Sequence, residues 1–201
     1  QMRAELIKIR ERVDTTFVYV THDQVEAMTL GDRIVIMKDG YIQQIGTSQD
    51  VFSRPANKFV AGFMGTPQMN FFDAELSLSG GEYVVRVAGE ALKLSSDKQK
   101  RLRDRKQAPC HAVLGIRPEH INVVSEGTPN ALKARVDVSE MMGSEIYLHV
   151  VMGEKDVVIR VQISDFTPHA FEPGKVNHIH FEIPEAMIHL FDAESEVNLL
   201  Y

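Results

Sequence analysis

The sequence predicts an α/β segment over residues 1–64 followed by a mainly β domain over residues 65–201. Three observations carry that division. Short, almost uninterrupted apolar runs alternate with helical stripes before Gly65, whereas alternation with period two dominates after it. Glycine and proline punctuate the second part at short intervals. The charge also shifts. Residues 1–64 hold 8 basic and 8 acidic side chains and residues 65–201 hold 14 and 20, so the second part carries the whole net charge of -6.

In the first part, Met2, Leu6, Ile9 and Val13 recur at helical spacing and form one apolar stripe. Thr15 to Val20 (TTFVYV) is β-branched and aromatic, which reads as a strand buried on both faces, as in parallel sheets. The polar Thr21-His22-Asp23 leads into a helix over Gln24–Leu30, ended by Gly31 as glycine ends a last turn. Arg33 to Met37 is a second buried strand, and Asp39-Gly40 a hairpin turn into Tyr41–Ile45. Two short helices follow, Ser48–Ser53 and Asn57–Met64, separated by Pro55.

The second part reads as strands. Leu132, Ala134, Val136 and Val138 alternate with Lys133, Arg135 and Asp137. Ile146, Leu148, Val150 and Met152 form another inner face, Ile159, Val161 and Ile163 a third, and Ile179, Phe181 and Ile183 a fourth. Gly127, Pro129, Gly143, Gly153, Pro168, Pro173, Gly174 and Pro184 break these runs, and short strands with frequent turns predict a small barrel or sandwich. One helix interrupts them, Lys98–Lys106, which Ser95, Ser96 or Asp97 can cap.

Composition narrows the function classes. With 201 residues, 44% apolar and 25% charged, the chain is neither disordered nor collagen-like nor a coiled coil. Its acidic balance argues against nucleic acid as a partner, because duplex binding needs a basic face. Cys110 is the only cysteine, which excludes an internal disulfide and fits a reducing compartment. No apolar run approaches the about 18 residues that cross a bilayer. No charged-then-apolar leader opens the chain, and its start at Gln1 reads as the start of a piece.

His22 is the sharpest chemical candidate. It stands where a predicted buried strand gives way to a helix, the edge at which open α/β sheets bind ligands. A helix N-terminus offers free N–H groups and a positive dipole end, which suits phosphate, and a neutral imidazole there donates to a phosphoryl oxygen. The alternative is that Thr21 or Asp23 caps the helix and His22 is only a loop residue.

The string VTHDQVEAMTLGDRIVIMKDG, Val20 to Gly40, resembles the switch-histidine segment of ABC transporter ATPase subunits. Its continuation YIQQIGTSQDVFSRPANKFVAGFMGTPQMNFF, Tyr41 to Phe72, is similar to the ATP-binding subunit of carbohydrate importers of the maltose and glycerol-phosphate type. GIRPEHI (Gly115–Ile121), VSEMMGSEIYLHV (Val138–Val150) and HLFD (His189–Asp192) resemble that subunit's C-terminal regulatory domain. The resemblance implies that residues 1–64 are the α/β tail of a truncated nucleotide-binding domain and residues 65–201 an OB-like regulatory and dimerising domain. It also implies that His22 touches the ATP γ-phosphate and the attacking water, positioned by Thr21 and Asp23.

Departures from the family pattern set the expectation for this chain alone. No GxxxxGK[ST] occurs, since Gly174-Lys175 lacks the leading glycine and the hydroxyl residue. No apolar strand ends in the Asp-Glu pair that such ATPases use for magnesium and water. ATP and Mg therefore belong to the expected full-length parent. The fragment is expected to bind neither, to hold no metal and not to hydrolyse ATP by itself. Leu78-Ser79-Gly80-Gly81-Glu82 imitates the ABC signature but lies 56 residues after His22, and Ser79-Gly80-Gly81 reads as a hairpin turn.

The remaining features read as structural. KQKRLRDRK, Lys98 to Lys106, is a solvated helix face without interleaved aromatics. His178, His180 and Glu182 form a polar outer strand face rather than a metal cage, Met141-Met142 core plus a bend, and Cys110 packing. By resemblance the partners are a second copy through the β domain, membrane permease subunits and a regulatory protein, with the parent cytoplasmic and peripheral on the inner face of the cell membrane. Rival readings are a β domain sensing a small ligand, oxyanion or sugar, and a free-standing OB-type nucleic-acid binder. The first needs a clustered basic pocket, whereas Arg117, Lys133 and Arg135 read as spread along separate strands. Unpaired edges at Phe17–Val20 and Ile34–Met37 further predict that residues 1–46 pair with a second copy or rearrange.

Overall fold

The computed structural model describes residues 2–13, 15–165 and 177–201. Pro168, Pro173 and the Gly174-Lys175 pair lie outside the described residues. The chain forms two compact units, residues 1–66 and residues 67–200.

The first unit opens with helix α1 (Met2–Arg12) and continues with α2 (Gln24–Leu30), the hairpin β1 (Ile34–Lys38) and β2 (Tyr41–Gly46), then α3 (Ser48–Ser53) and α4 (Lys58–Phe63). Each short helix has a side-chain cap. Asp23 caps α2, Thr47 and Asp50 form a reciprocal capping box on α3, and Asn57 caps α4. The hairpin turn falls at Asp39-Gly40, where φ is 52° and 81°, the left-handed pair that a tight hairpin requires. The inward side chains Ile34 and Ile36 pack on Val51, Val60 and Met64, with Ala27, Met28 and Phe59 against them.

Three expectations for this unit are corrected. Thr15–Val20 forms no strand: Val18 is 88% and Val20 91% exposed, and no ladder is assigned to either. A strand buried on both faces needs neighbours on both sides, and the described residues supply none. For the same reason Arg33–Met37 is buried on one face only, with Val35 and Met37 exposed. Gly31 does end α2, but in an extended conformation (φ -90°, ψ 133°) rather than a left-handed one. A Cβ there would sit 3.1 Å from the Ala27 carbonyl oxygen, so close approach explains the glycine instead.

The second unit holds two five-stranded sheets. One runs β12-β6-β3-β4-β5, from β3 (Asn70–Ser79), β4 (Glu82–Val87), β5 (Glu90–Lys93), β6 (Cys110–Ile116) and β12 (His189–Asp192). The other runs β10-β9-β8-β11-β7, from β7 (Asn122–Val124), β8 (Leu132–Met141), β9 (Glu145–Met152), β10 (Lys155–Gln162) and β11 (His178–Glu182). All the pairings are antiparallel. Helix α5 (Ser96–Asp104) lies between β5 and β6 in sequence. Asn70 ties the sheets together: its Nδ2 donates to the Val158 carbonyl (2.8 Å) and its Oδ1 accepts from the Val158 N–H (2.8 Å).

Ser79-Gly80-Gly81 is the β3–β4 hairpin turn, with φ of 59° at Gly80 and 83° at Gly81, so the signature-like string is a turn. The predicted inner face of β8 holds at Leu132 and Ala134 but fails at Val138, which is 48% exposed. Val136 pairs with Val150 and Val138 with His149, so Asp137 is an extra residue that resets the alternation. Met141 and Met142 are likewise exposed and not core, although Gly143 beside them turns the chain with φ of 78°. His178, His180 and Glu182 occupy the face of β11 opposite the buried Ile179 and Phe181.

Candidate functional site

His22 sits exposed on the loop before α2. The loop is held by short local bonds. Asp23 Oδ1 accepts from the N–H groups of Val25 (2.7 Å) and Glu26 (3.1 Å), and the Asp23 N–H donates to Thr21 Oγ1 (2.9 Å). Thr21 Oγ1 in turn donates to Glu26 Oε2 (2.8 Å), which also accepts from the Tyr19 hydroxyl (3.1 Å). That bond and the Glu26 charge push the Tyr19 phenol above its ordinary pKa. Gln24 Oε1 accepts from the Gly65 N–H (2.7 Å), fixing the start of the helix to the end of the unit.

This geometry corrects one part of the sequence reading. The first N–H groups of α2 are not free for a phosphate, because Asp23 occupies two of them and brings a negative charge with it. The cap and the presented imidazole are both real: Asp23 closes the helix while His22 stays in solvent. The loop thus fits a single imidazole contact to a phosphate oxygen and does not fit a phosphate cradle.

A second set of groups escaped the sequence reading. Arg117 follows β6 rather than lying on a strand, and it is only 1% exposed. It gathers with Lys98 from α5, His120 from the Pro118–His120 turn and His189 at the start of β12. Lys98 is 4% exposed, so the KQKRLRDRK helix is not solvated on every side: Lys98, Gln99 and Leu102 form its buried face. Lys98 Nζ donates to the carbonyls of Glu185 (2.8 Å) and Ala186, and Gln99 bonds both the N–H (2.9 Å) and the carbonyl (2.7 Å) of Tyr83.

Burial sets the protonation of this cluster. It pushes Lys98 down to about 8 and Arg117 down to about 10, and with Arg117, Lys98 and His120 nearby it pushes His189 down to about 3. His120 is lowered too, by burial first. Lys98 is bonded to two backbone carbonyls of the Glu185–Met187 turn, so it joins α5 to that turn. The signal for the cluster is weak in a sequence, because its members are 3 to 91 residues apart. Cys110 is half-buried and its thiol is pushed up by burial, the opposite of an activated nucleophile. Among the described residues, no three or more His, Cys, Asp or Glu side chains are placed to hold a metal, and no helix is long and apolar enough to cross a membrane.

Residues 65–121 match the family model of the MalK OB fold domain, and residues 114–191 match that of the TOBE domain. The second unit is therefore a β domain of the OB and TOBE class. Along nearly its whole length the chain is also similar to importer subunits. It is 39% identical over 203 residues to the oligosaccharides import ATP-binding protein MsmX of Bacillus subtilis, covering 99% of this chain and 53% of that protein. It is 41% identical over 209 residues to the multiple sugar-binding transport ATP-binding protein MsmK of Streptococcus mutans, covering 97% and 53%. A third relative, an uncharacterized ABC transporter ATP-binding protein YcjV of Escherichia coli, is 41% identical over 200 residues, covering 98% and 52%. The chain belongs to the ATP-binding subunits of carbohydrate ABC importers and corresponds to the C-terminal part of such a subunit. It spans about half the length of the curated relatives it matches. The molybdate-binding protein ModG aligns at a TM-score of 0.48 and 14% identity over 60% of this chain and 94% of its own, too distant to carry an argument.

Proposed function

We propose that residues 1–64 are the end of an ABC nucleotide-binding domain whose parent couples ATP hydrolysis to carbohydrate uptake, and that residues 65–201 regulate and dimerise it. The observation that carries this reading is the His22 loop, an exposed imidazole on a loop fixed by Asp23, Thr21 and Glu26. ATP, with magnesium, supplies the phosphoryl group that passes to water. His22 supplies one N–H to an oxygen whose charge grows during the reaction. Asp23 keeps the loop closed on the helix, and Thr21 ties it to Glu26. Two copies meet through the β domain, membrane permease subunits take the nucleotide domains, and a regulatory protein biases the equilibrium between their open and closed forms. The assembly sits on the cytoplasmic face of the cell membrane. An oxyanion sensor is not favoured, since Lys98 is spent on the Glu185 and Ala186 carbonyls.

The test joins this chain to the upstream half of MsmX. The joined protein is expected to hydrolyse ATP, this chain alone not, and His22→Ala to lower turnover by about tenfold or more. Unchanged turnover in the alanine variant would remove His22 from the reaction.

A further inference from the structure

His22 and the first turn of α2 form one small block. Among the described residues, the side-chain bonds of Tyr19, Thr21, Asp23 and Glu26 close within residues 19–26. They fix His22 relative to α2 and leave α2 itself to be fixed by other means. The helix has seven residues and none of them is buried, so its own hydrogen bonds are too few to hold it in place. Ala27 and Met28 are only partly buried against the core of the unit. An exposed imidazole carried on a loosely seated helix moves with that helix.

Gln24 reaches out of the block. Its Oε1 accepts from the Gly65 N–H at 2.7 Å, 41 residues further along the chain, and both residues are half-buried. Gly65 follows the best-buried part of the unit. Val60 of α4 is fully buried, and the cap residue Met64 is 1% exposed and donates its N–H to the Val60 carbonyl (3.0 Å). Both ends of the Gln24–Gly65 bond lie in the first unit. One stands two residues past His22 and the other two residues before Pro67, where the second unit begins.

We propose that Gln24 is a positioning residue for His22: its bond to Gly65 seats α2, and with it the imidazole, on the buried end of α4. The proposal rests on the His22 reading above and adds the residue that sets where the imidazole stands. Losing this bond leaves the local net and His22 itself intact. The defect is then one of aim, and a small misplacement of a group that must meet a reacting oxygen lowers the rate without weakening ATP binding.

The experiment measures ATP turnover in the chain joined to the upstream half of MsmX, with Gln24→Met, Gln24→Glu and His22→Ala beside the unaltered form. Met keeps the length of the side chain and lacks the acceptor, whereas Glu keeps an acceptor oxygen. Gln24→Met should lower kcat about threefold to tenfold at unchanged KM for ATP, and Gln24→Glu should restore most of it. In the full chain by itself, hydrogen exchange at residues 21–26 should quicken in Gln24→Met and stay slow in Gln24→Glu, while α4 and the second unit keep their protection. Lost turnover in His22→Ala with none lost in Gln24→Met overturns the tether and leaves the His22 reading standing. Equal losses in the Met and Glu variants, or exchange unchanged by Met, overturn the tether as well. Full turnover in His22→Ala overturns both.

Discussion

His189 and Lys98 show how burial turns a single side chain into a pH-dependent stability contribution. The folded unit refuses a proton at His189 down to about 3, whereas the unfolded chain takes one near 6.5. Stability is therefore complete above pH 6.5 for this group and falls as pH drops toward 3. Lys98 titrates near 8 when folded and near 10.5 when unfolded, so its burial costs stability at neutral pH and that cost fades as pH rises between those values. At about 1.4 kcal/mol per pKa unit, the acid limb amounts to a few kcal/mol. Urea unfolding of the second unit should give a midpoint that falls from about pH 7 to about pH 4, and His189→Phe should flatten that fall. An unaltered slope in the Phe variant would place the acid sensitivity in another group. None of this was legible in the sequence, where Lys98 read as one of six basic side chains on a solvated helix face and Arg117 as a strand residue.

Elements were more legible than contacts between them. Turns at Asp39-Gly40 and Gly80-Gly81 and the Asp23 cap follow from local chemistry, and the structure has each of them, whereas the helix expected at Lys98–Lys106 runs over Ser96–Asp104 and Ser95 makes no side-chain cap bond. Register was not legible. The β8 alternation breaks because one extra residue at Asp137 reverses the faces, and no composition signal marks the break. Asn70 was also silent in the sequence, although it closes two hydrogen bonds on Val158 from the other sheet. Asn70→Ala strands that N–H and carbonyl, and should cost about 2–4 kcal/mol in urea unfolding. A cost below about 0.5 kcal/mol would mean that water replaces the clamp.

At the scale of the molecule, the two units differ in how much they bury. The second has apolar side chains from both sheets and α5 in its interior, including Phe72, Leu102, Leu148, Ile159 and Phe181. The first rests on Ile34, Ile36, Val51, Val60 and Met64, while Phe17 to Val20, Val35, Met37 and Ile42 stay exposed. Small cores open at low free energy. Hydrogen exchange should show residues 34–46 of the first unit exchanging through openings much less costly than those of β3, β6 and β9. Equal protection in both units would mean that a partner surface covers the first, as the expected pairing of residues 1–46 with a second copy requires.

The sequence by itself determined the local rules and the kinship: the period of each segment, the caps and turns, the resemblance to carbohydrate importer ATPases, and His22 as the residue to suspect. These depend on neighbours along the chain, and a chain carries them wherever it is. Tertiary structure decided which strands had partners, which face each presented, and which charges were removed from water. Thr15–Val20 has the residues of a buried strand and no ladder, and Lys98 has the residue type of a surface and a place in the core. Burial and pairing are properties of what lies across from a residue, and that neighbour is brought in from far along the chain.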